Sequence, residues 1–237
     1  MHKDHVVILD VAKDPNIGIY GFATDRYCIV GKAFKPEQVS EIKQKLNVEV
    51  VQTSLYGTDL IGLFAAGTSS TLLIPSICFE NEIAFLRTKL QSLGVKLVTI
   101  DTKHTALGNN ILLNDFVGIV STVFSKKDVE KIKAALGIDI IQMDLAGTHV
   151  PGSVGVLTNQ GALFSPNLSE SEINYLEKLF GFEIGLGTVN LGNPFVATGL
   201  FANSFGFAVG SASSGWEIAR IDESLGFLKS HTKNKSL

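Results

Sequence analysis

Cysteine is nearly absent from this chain, since Cys28 and Cys78 are the only two among 237 residues. Two thiols among apolar neighbours cannot form the disulfide framework of a small secreted domain, so we expect both to be reduced core residues. Long apolar runs are lacking too, because no stretch approaches the roughly 18 consecutive apolar residues of a membrane helix. The sequence therefore predicts a soluble protein whose 45% apolar residues build an ordinary core.

The chain also lacks an excess of positive charge. Its 20 basic and 23 acidic side chains give a formal net charge of −3, which excludes the broad positive field of non-specific nucleic-acid binding. We expect no DNA partner, and any RNA contact must be local. Residues 1–5 lead directly into the apolar run Val6 to Leu9, without the charged segment, long apolar core and cleavage site of an export signal. We expect a cytoplasmic location and no membrane partner.

No catalytic or ligand-binding pattern occurs at a convincing spacing. The histidines show no metal-ligand spacing apart from a weak pair at His2 and His5, so we predict no metal and no cofactor. A triad of Cys78, Asp101 and His104 is conceivable because triads are made by geometry. We expect the fold, however, to place Cys78 at the opposite end of its helix and strand from His104. The sequence thus favours a protein that is not an enzyme.

What the sequence does contain is a repeat of about 45 residues. In residues 155–189, two apolar runs flank a polar break, a Ser169–Glu172 capping box opens an amphipathic helix, and an extended segment follows. This order predicts a ββαβ unit. Five hairpin turns align at Thr24, Thr68, Asn114, Asn159 and Asn203, with spacings of 44, 46, 45 and 44 residues. Seven positions later each unit has a residue suited to ending a strand: Gly31, Pro75, Ser121, Pro166 and Gly210.

Four units also share one helical stripe with i, i+3, i+7 spacing, which indicates a single buried face. The stripes are Val39/Ile42/Leu46, Ile83/Leu86/Leu90, Val129/Ile132/Leu136 and Ile173/Leu176/Phe180. We expect the fifth unit to lack its helix, because residues 210–215 are small and polar and residues 216–221 alternate like a strand. Both chain ends are then apolar and strand-like, which favours a closed ring over an open solenoid.

The repeat therefore predicts one α+β domain over residues 1–228, a five-bladed αβ propeller with five-fold pseudosymmetry and its helices outside. We expect repeats at about 17–58, 59–107, 108–149, 150–193 and 194–228, followed by a mobile basic tail at 229–237. The loops between blades should gather on one rim and suit a large partner. Because Asn and Gly also serve plain turns, composition alone leaves that role open.

Several motifs in this register resemble the translation initiation factor 6 family. They are Leu107-Gly108-Asn109 running on to Asn114-Asp115, then the residues 157–163 (LTNQGAL) and 187–190 (GTVN). The match spans about residues 17–224, and the short C-terminus is similar to the archaeal branch. The resemblance implies a pentein fold and a translation factor. Such a factor binds the large ribosomal subunit on its intersubunit side and blocks the joining of the small subunit.

Binding residues follow from the resemblance and the repeat together. Asn109 and Gly108 match a family motif in the subunit-binding region, where Gly108 would allow close backbone approach and the Asn109 amide would donate and accept hydrogen bonds. The repeat places four further residues on the same rim: Asp59, His149, Asn190 and Asn193. The implied partners are ribosomal proteins of the intersubunit face, with a local ribosomal RNA contact as an addition, and we expect a monomer.

The alternative is an enzyme. Amidine-processing enzymes that act on guanidino substrates share the pentein fold, and they depend on a cysteine nucleophile with histidine and acidic partners. This chain has no cysteine after Cys78, so the late nucleophile typical of those enzymes is missing. The alternative predicts turnover of guanidino substrates, whereas a translation factor should co-sediment with large subunits.

Overall fold

The computed structural model describes residues 5–228, so the tail predicted at 229–237 lies outside the described residues. The strands are β1 (Val6–Leu9), β2 (Gly21–Ala23), β3 (Tyr27–Gly31), β4 (Glu49–Thr53), β5 (Ala66–Gly67), β6 (Thr71–Pro75), β7 (Lys96–Ile100), β8 (Ile111–Leu113), β9 (Val117–Val120), β10 (Asp139–Gln142), β11 (Gly155–Leu157), β12 (Ala162–Phe164), β13 (Gly185–Leu186), β14 (Leu200–Ala202) and β15 (Phe207–Gly210). They form five separate three-stranded sheets, which are the blades of the predicted ring.

Two kinds of helix alternate along the chain. The long outer helices are α1 (Pro36–Leu46), α3 (Glu80–Ser92), α5 (Lys126–Leu136), α7 (Glu170–Phe180) and α9 (Gly215–Ser224). The short inner ones are α2 (Ile61–Phe64), α4 (Leu107–Asn110), α6 (Pro151–Val154), α8 (Val196–Gly199) and a 3-10 turn at Ile17–Ile19. Among residues 5–228, none of these helices has the length and apolarity needed to cross a membrane.

Each blade pairs an antiparallel hairpin with a third, parallel strand that returns after the outer helix. In blade one, for example, Val30 of β3 lies opposite Gly21 of β2, and Gly31 lies opposite Thr53 of β4. Blade five takes its third strand from the other end of the chain, because β1 pairs in parallel with β15. The chain ends therefore meet, and the predicted α+β pentein ring of ββαβ units with five-fold pseudosymmetry is confirmed.

The hairpin turns repeat one hydrogen-bond pattern. Thr24 donates its N–H to the Tyr27 carbonyl at 2.9 Å, and its hydroxyl accepts the Tyr27 N–H at 3.2 Å. In the fourth blade the equivalent residue is Thr158, whose N–H donates to the Gly161 carbonyl at 3.0 Å. The predicted register, with Asn159 in this place, is therefore wrong by one residue. The side chains of Thr and Asn can both accept N–H groups of a turn. Thr158 and Asn159 are adjacent, so the sequence offered two candidates for the first residue of this turn.

The expectation that the fifth unit lacks a helix is also wrong. α9 begins with a capping box in which the Ser214 N–H donates to Glu217 at 2.7 Å and the Glu217 N–H donates to the Ser214 hydroxyl at 3.3 Å. Ile218, Ile221 and Leu225 then continue the buried stripe of the other helices. The alternation that suggested a strand came from Trp216, an apolar residue that lies on the solvent side of this helix.

The core is divided among the seams between blades. At the first seam, Tyr27 and Ile29 of β3 pack with Leu72 of β6 under Leu86 and Leu90 of α3. Four further clusters repeat this arrangement around the ring. Each outer helix thus covers the junction of its own blade with the preceding one, and the ring is stable only as long as neighbouring blades remain in contact.

Truncation of Leu136 tests the helix face. Leu136 is 6% exposed at the end of α5, whereas Lys133, outside the buried stripe, is exposed and lies 3.7 Å from Asp139. Leu136→Ala should lower the free energy of unfolding by about 2–5 kcal/mol through lost apolar burial and a residual cavity. Lys133→Ala should change it by less than about 0.5 kcal/mol. Denaturant midpoints measure both, and equal midpoints would contradict the assignment.

Candidate functional site

All the segments that join neighbouring blades lie at one end of the ring, which we name the junction face. Each third strand leads towards a short inner helix, and in four of the five junctions it does so through a tight turn. These four turns contain consecutive residues with positive φ: Ala12 and Lys13, Tyr56 and Gly57, Ala146 and Gly147, and Asn190 to Gly192. Because a non-glycine residue there costs about 1–2 kcal/mol, the surroundings must hold these turns in place.

Carboxylates at the outer helix N-termini hold three of these four turns. Glu82, in the first turn of α3, accepts the N–H groups of Tyr56 at 2.8 Å and Gly57 at 2.9 Å, as well as that of Phe79 at 3.1 Å. Glu172 of α7 likewise accepts the Ala146 N–H at 2.9 Å. Burial raises the pKa of both carboxyls, but these hydrogen bonds lower it by more, so that each pKa is below its ordinary value.

When each junction is numbered by the blade that it follows, the second junction, after β7, is built differently. Its residues 101–106 contain no turn with positive φ, and the equivalent helix position in α5 is the shorter Asp128, whose carboxylate accepts only within its own helix turn. Lys131 instead donates from Nζ to the Asp101 carbonyl at 2.9 Å. The Asp128 side chain is one methylene shorter than that of glutamate, and the junction beside it has no strained turn whose N–H groups a carboxylate could accept.

The inner helices close the ring by glycine contacts. A Cβ added at Gly108 would lie 1.9 Å from the Gly62 carbonyl oxygen, and one at Gly62 would lie equally close to the Gly18 carbonyl oxygen. Gly152 meets the Gly108 carbonyl in the same way, while Ala197 holds the fifth position. The absence of a side chain at Gly108 is therefore required by its contact with Gly62, and the expectation that it also makes room for a partner stays a prediction.

Asn109 follows Gly108 in α4 and differs from the other predicted residues. It is half-buried, and it does not line the central cavity that Gly108 borders. Its side-chain amide forms no hydrogen bond with any residue in the described part of the chain, whereas the Asn110 amide donates to the Ala106 carbonyl at 2.8 Å. Asn109 thus presents two donors and an acceptor that are not used within residues 5–228.

Two of the other predicted residues sit at equivalent positions at the start of their inner helices. Asp59 accepts the Lys32 N–H at 2.8 Å and is half-buried. His149 is exposed, and its Nδ1 lies 2.7 Å from an oxygen of Asp144. Burial raises the pKa of Asp144, but hydrogen bonds from Thr122 and His149 outweigh it and the pKa is lowered.

Asn190 and Asn193 lie in the fourth junction, where both support the backbone. The Asn190 amide donates to the Pro15 carbonyl at 2.8 Å, so it ties this junction to the seam where the ring closes. The Asn193 amide donates to the Thr198 hydroxyl at 2.8 Å and its oxygen accepts the Phe195 N–H at 3.0 Å. Of the six predicted residues, Asn109 has the amide that is free for a partner.

A cavity of about 120 Å³ runs along the ring axis, bounded at one end by the inner helices and at the other by the hairpin tips. At the tips, the Asn159 amide nitrogen donates to Asp25 at 2.7 Å and to Asp115 at 2.8 Å. Ser204 donates to Asp25 at 2.8 Å and Ser69 donates to Asp115 at 2.7 Å. The five tips are thus linked across the axis, and Asn159 separates two carboxylates.

The sequence reasoning missed this network. Its five members each follow the first residue of a hairpin turn, and once the fourth register is corrected they recur at 44, 46, 44 and 45 residues: Asp25, Ser69, Asp115, Asn159 and Ser204. That regular spacing of short polar side chains was the available signal.

The conceivable triad fails for a reason other than the expected one. Cys78 precedes α3 and Asp101 follows β7, so both lie at the same end of the blade, where Asp101 is within 3.5 Å of Ser76. The His104 ring packs against Phe124 in the next blade instead. Burial raises the pKa of Cys78 to about 11, with Glu82 adding to it, which keeps this thiol protonated. Residues 5–228 also contain no cluster of His, Cys, Asp or Glu that could hold a metal ion.

Comparison with known protein families matches residues 6–224 to the eIF-6 family. The chain belongs to the eIF-6 family. Translation initiation factor 6 of Pyrococcus horikoshii is 36% identical over 226 residues, which cover 94% of this chain and 100% of that protein. Translation initiation factor 6 of Saccharolobus islandicus is 35% identical over 219 residues, covering 92% and 97%. The predicted resemblance to the archaeal branch is confirmed.

Two solved structures of lower sequence identity were also compared with this eIF-6 family member. DDAH from Pseudomonas aeruginosa, in complex with citrulline, is 11% identical with a TM-score of 0.44, over 88% of this chain and 73% of that one. Agmatine deiminase from C. jejuni is 14% identical with a TM-score of 0.42, over 66% and 58%. Similarity at this level carries nothing about the chemistry of the chain.

Gly108→Ala tests the ring of glycine contacts. The added methyl group would overlap the Gly62 carbonyl, so we expect a loss of stability of about 1–3 kcal/mol or more. Gly215→Ala is the matched control, since a Cβ there meets nothing within 4 Å and the residue is at a helix start. Thermal melting measures both variants, and a Gly108→Ala protein as stable as this control would rule out the contact.

Asn159→Asp tests the tip network through its pH dependence. The new carboxyl would face Asp25 and Asp115, so its pKa in the folded state should rise above its unfolded value. Such a group favours folding when protonated, so the stability deficit should be large near pH 7.5 and shrink towards about pH 5. Melting temperatures across this range measure it. Asn174→Asp, on the exposed side of α7, is the control. If the stability lost by Asn159→Asp does not change with pH, as we expect for the control, the network is contradicted.

Proposed function

We propose that the protein is a translation factor that binds the large ribosomal subunit with its junction face and keeps the small subunit from joining. Membership of the eIF-6 family and the names of the archaeal relatives support the role as a translation factor. The observation that carries the binding face is the half-buried Asn109 amide, which no residue in 5–228 engages. A half-buried side chain has little conformational freedom before it meets a partner, so the Asn109 amide loses little conformational entropy on binding.

The construction of the junction face supports a rigid mode of binding. Three of its turns are held by helix carboxylates, and its inner helices touch through glycine, so the face is formed before the partner arrives. Blocking of the small subunit then requires no enzymatic step. The factor occupies part of the intersubunit surface, and two bodies cannot occupy the same volume. Ribosomal proteins are the proposed main partners, with RNA contact confined to single sites because the net charge is −3.

No observation favours the enzymatic alternative. A guanidino-processing enzyme of this fold would need a reactive thiolate, and the pKa of the Cys78 thiol is raised to about 11. The Cys28 thiol is fully buried, and its pKa is raised further by that burial. We propose a cytoplasmic, monomeric binding protein, and incubation with guanidino substrates at neutral pH should give no product.

Asn109→Ala should weaken the binding of purified large subunits. Removal of the amide leaves partner groups unpaired, at a cost of about 1–3 kcal/mol or roughly ten- to a hundredfold in affinity. Folding should hardly change, because the amide has no partner among the described residues. Co-sedimentation in sucrose gradients measures the affinity, and a subunit-joining assay with added small subunits measures the block.

Asn174→Ala supplies the control, because Asn174 is exposed on the outward side of α7. It should bind and block like the unmodified protein. If the unmodified protein does not sediment with large subunits, the proposed function is wrong. If it does, but Asn109→Ala binds equally well, the function stands and the binding face has been misassigned.

A further inference from the structure

The turn of the fourth junction is longer than the three equivalent turns. It is closed by a pairing of Val189 with Asn193, which leaves three residues between them. The equivalent turns leave two, as between Leu55 and Thr58. The middle residue of the longer turn is Leu191, with a φ of 62° and 78% of its surface exposed. A bulky apolar side chain thus occupies a conformation that favours glycine, and two of the equivalent turns do place glycine there.

A second departure occurs in blade five, which follows this junction. The second residue of each outer helix is polar in the first four blades: Glu37, Asn81, Lys127 and Ser171. In α9 it is Trp216, the single tryptophan of the chain. Trp216 is 88% exposed, and it and Leu191 have the two highest exposed fractions among the large apolar side chains of residues 5–228. In a pseudosymmetric ring, two such exceptions on either side of one blade boundary call for a common explanation.

Glu217 connects the two exceptions. Its carboxylate accepts the N–H groups of Leu191 at 3.2 Å, Gly192 at 2.9 Å and Ser214 at 2.7 Å, and the Thr188 hydroxyl at 2.8 Å. The turn that carries Leu191 is therefore fixed against the helix end that carries Trp216. Burial raises the pKa of Glu217, but these bonds lower it by more, so the carboxylate stays charged and keeps its bonds at neutral pH.

This arrangement lowers the stability of the folded protein, and no contact among the described residues compensates for the loss. Left-handed backbone at a leucine is unfavourable, and the exposed apolar surface of both side chains gains nothing from the described residues. Rigid, exposed Trp and neighbouring apolar groups are typical of the residues that dominate protein–protein interfaces. The pair lies on the junction face, so it is continuous with the surface proposed above to meet the large subunit.

We propose that Leu191 and Trp216 form an apolar anchor that enters a pocket on a protein of the large subunit. This inference rests on the proposed function and adds the class of partner at this point of the face. The charges favour protein over RNA here. Residues 187–195 and 211–218 contain no Lys, Arg or His to pair with phosphate, and their single acidic side chain, Glu217, is already bonded. An apolar pocket is the complement of such a surface.

Two substitutions test the anchor by binding. Trp216→Ala should reduce the affinity for purified large subunits at least about tenfold. Leu191→Gly should also reduce it, while its melting temperature stays equal or rises, because glycine accepts the φ of 62° without strain. Lys127→Ala, at the equivalent position of α5, should match the unmodified protein in both measurements. A loss of binding together with retained or improved stability would separate a contact role from a structural one.

The single tryptophan also reports the nature of the partner. With 5-hydroxytryptophan incorporated at position 216, its fluorescence can be excited apart from the tryptophans of ribosomal proteins. Entry into an apolar protein pocket should shift the emission to the blue and protect it from iodide. Stacking on an RNA base should instead quench the emission strongly.

The outcomes separate the two proposals. If the unmodified protein does not bind large subunits, both are overturned. If it binds and Asn109→Ala weakens it, but Trp216→Ala and Leu191→Gly bind normally, the anchor is overturned and the proposed function stands. Quenching without a blue shift would overturn the protein pocket in favour of RNA. Weakened binding by both variants, with a blue shift and iodide protection, is the result that we expect.

Discussion

The rest of the structure depends on the approach of one inner helix to the carbonyl oxygens of the next. At Gly18, Gly62, Gly108 and Gly152 the Cα lies where any side chain would collide with the neighbouring backbone. That distance sets the radius of the ring, and the radius decides how the blades meet at their seams. The axial cavity, the apolar clusters at the seams and the flat junction face all follow from it.

Carboxylates add the second constraint. Glu82, Glu172 and Glu217 each act at once as a helix cap and as the acceptor for a strained turn of the preceding junction. A capping residue is ordinarily local, with an effect confined to one helix end. Here the same side chain also binds the turn between two blades. The helices therefore hold the junction face rigid.

Much of the fold was predictable because it repeats. The helical stripes and hairpin turns occur several times, and each copy supports the register of the others. The failures arose where a single copy deviated. Trp216 made the fifth helix look like a strand, although the Ser214–Glu217 capping box indicated a helix start. In the fourth blade, Thr158 and Asn159 were equally good candidates for the first residue of the hairpin turn. Local pattern reasoning has no means of weighing one exposed apolar residue against a capping signal.

The candidate site was less predictable, because residue type does not show where a hydrogen bond goes. Asn109, Asn190 and Asn193 are alike in sequence, yet two of them support backbone and one is unengaged within the described residues. Gly108 was correctly singled out as a place of close approach, but the approaching group belongs to Gly62. These distinctions depend on neighbours from other blades, and those neighbours are distant in sequence.

Closure of the ring by β1 has a consequence for biosynthesis. The strand that completes the last blade is synthesised before its partner β15 and before the four blades between them. During translation β1 therefore has an unpaired edge, and the ring cannot close until β15 has been made. Such long-range pairing is slow and leaves apolar edges exposed meanwhile. Until β15 has been made, each new copy of the protein is an open arc of blades and not yet a ring.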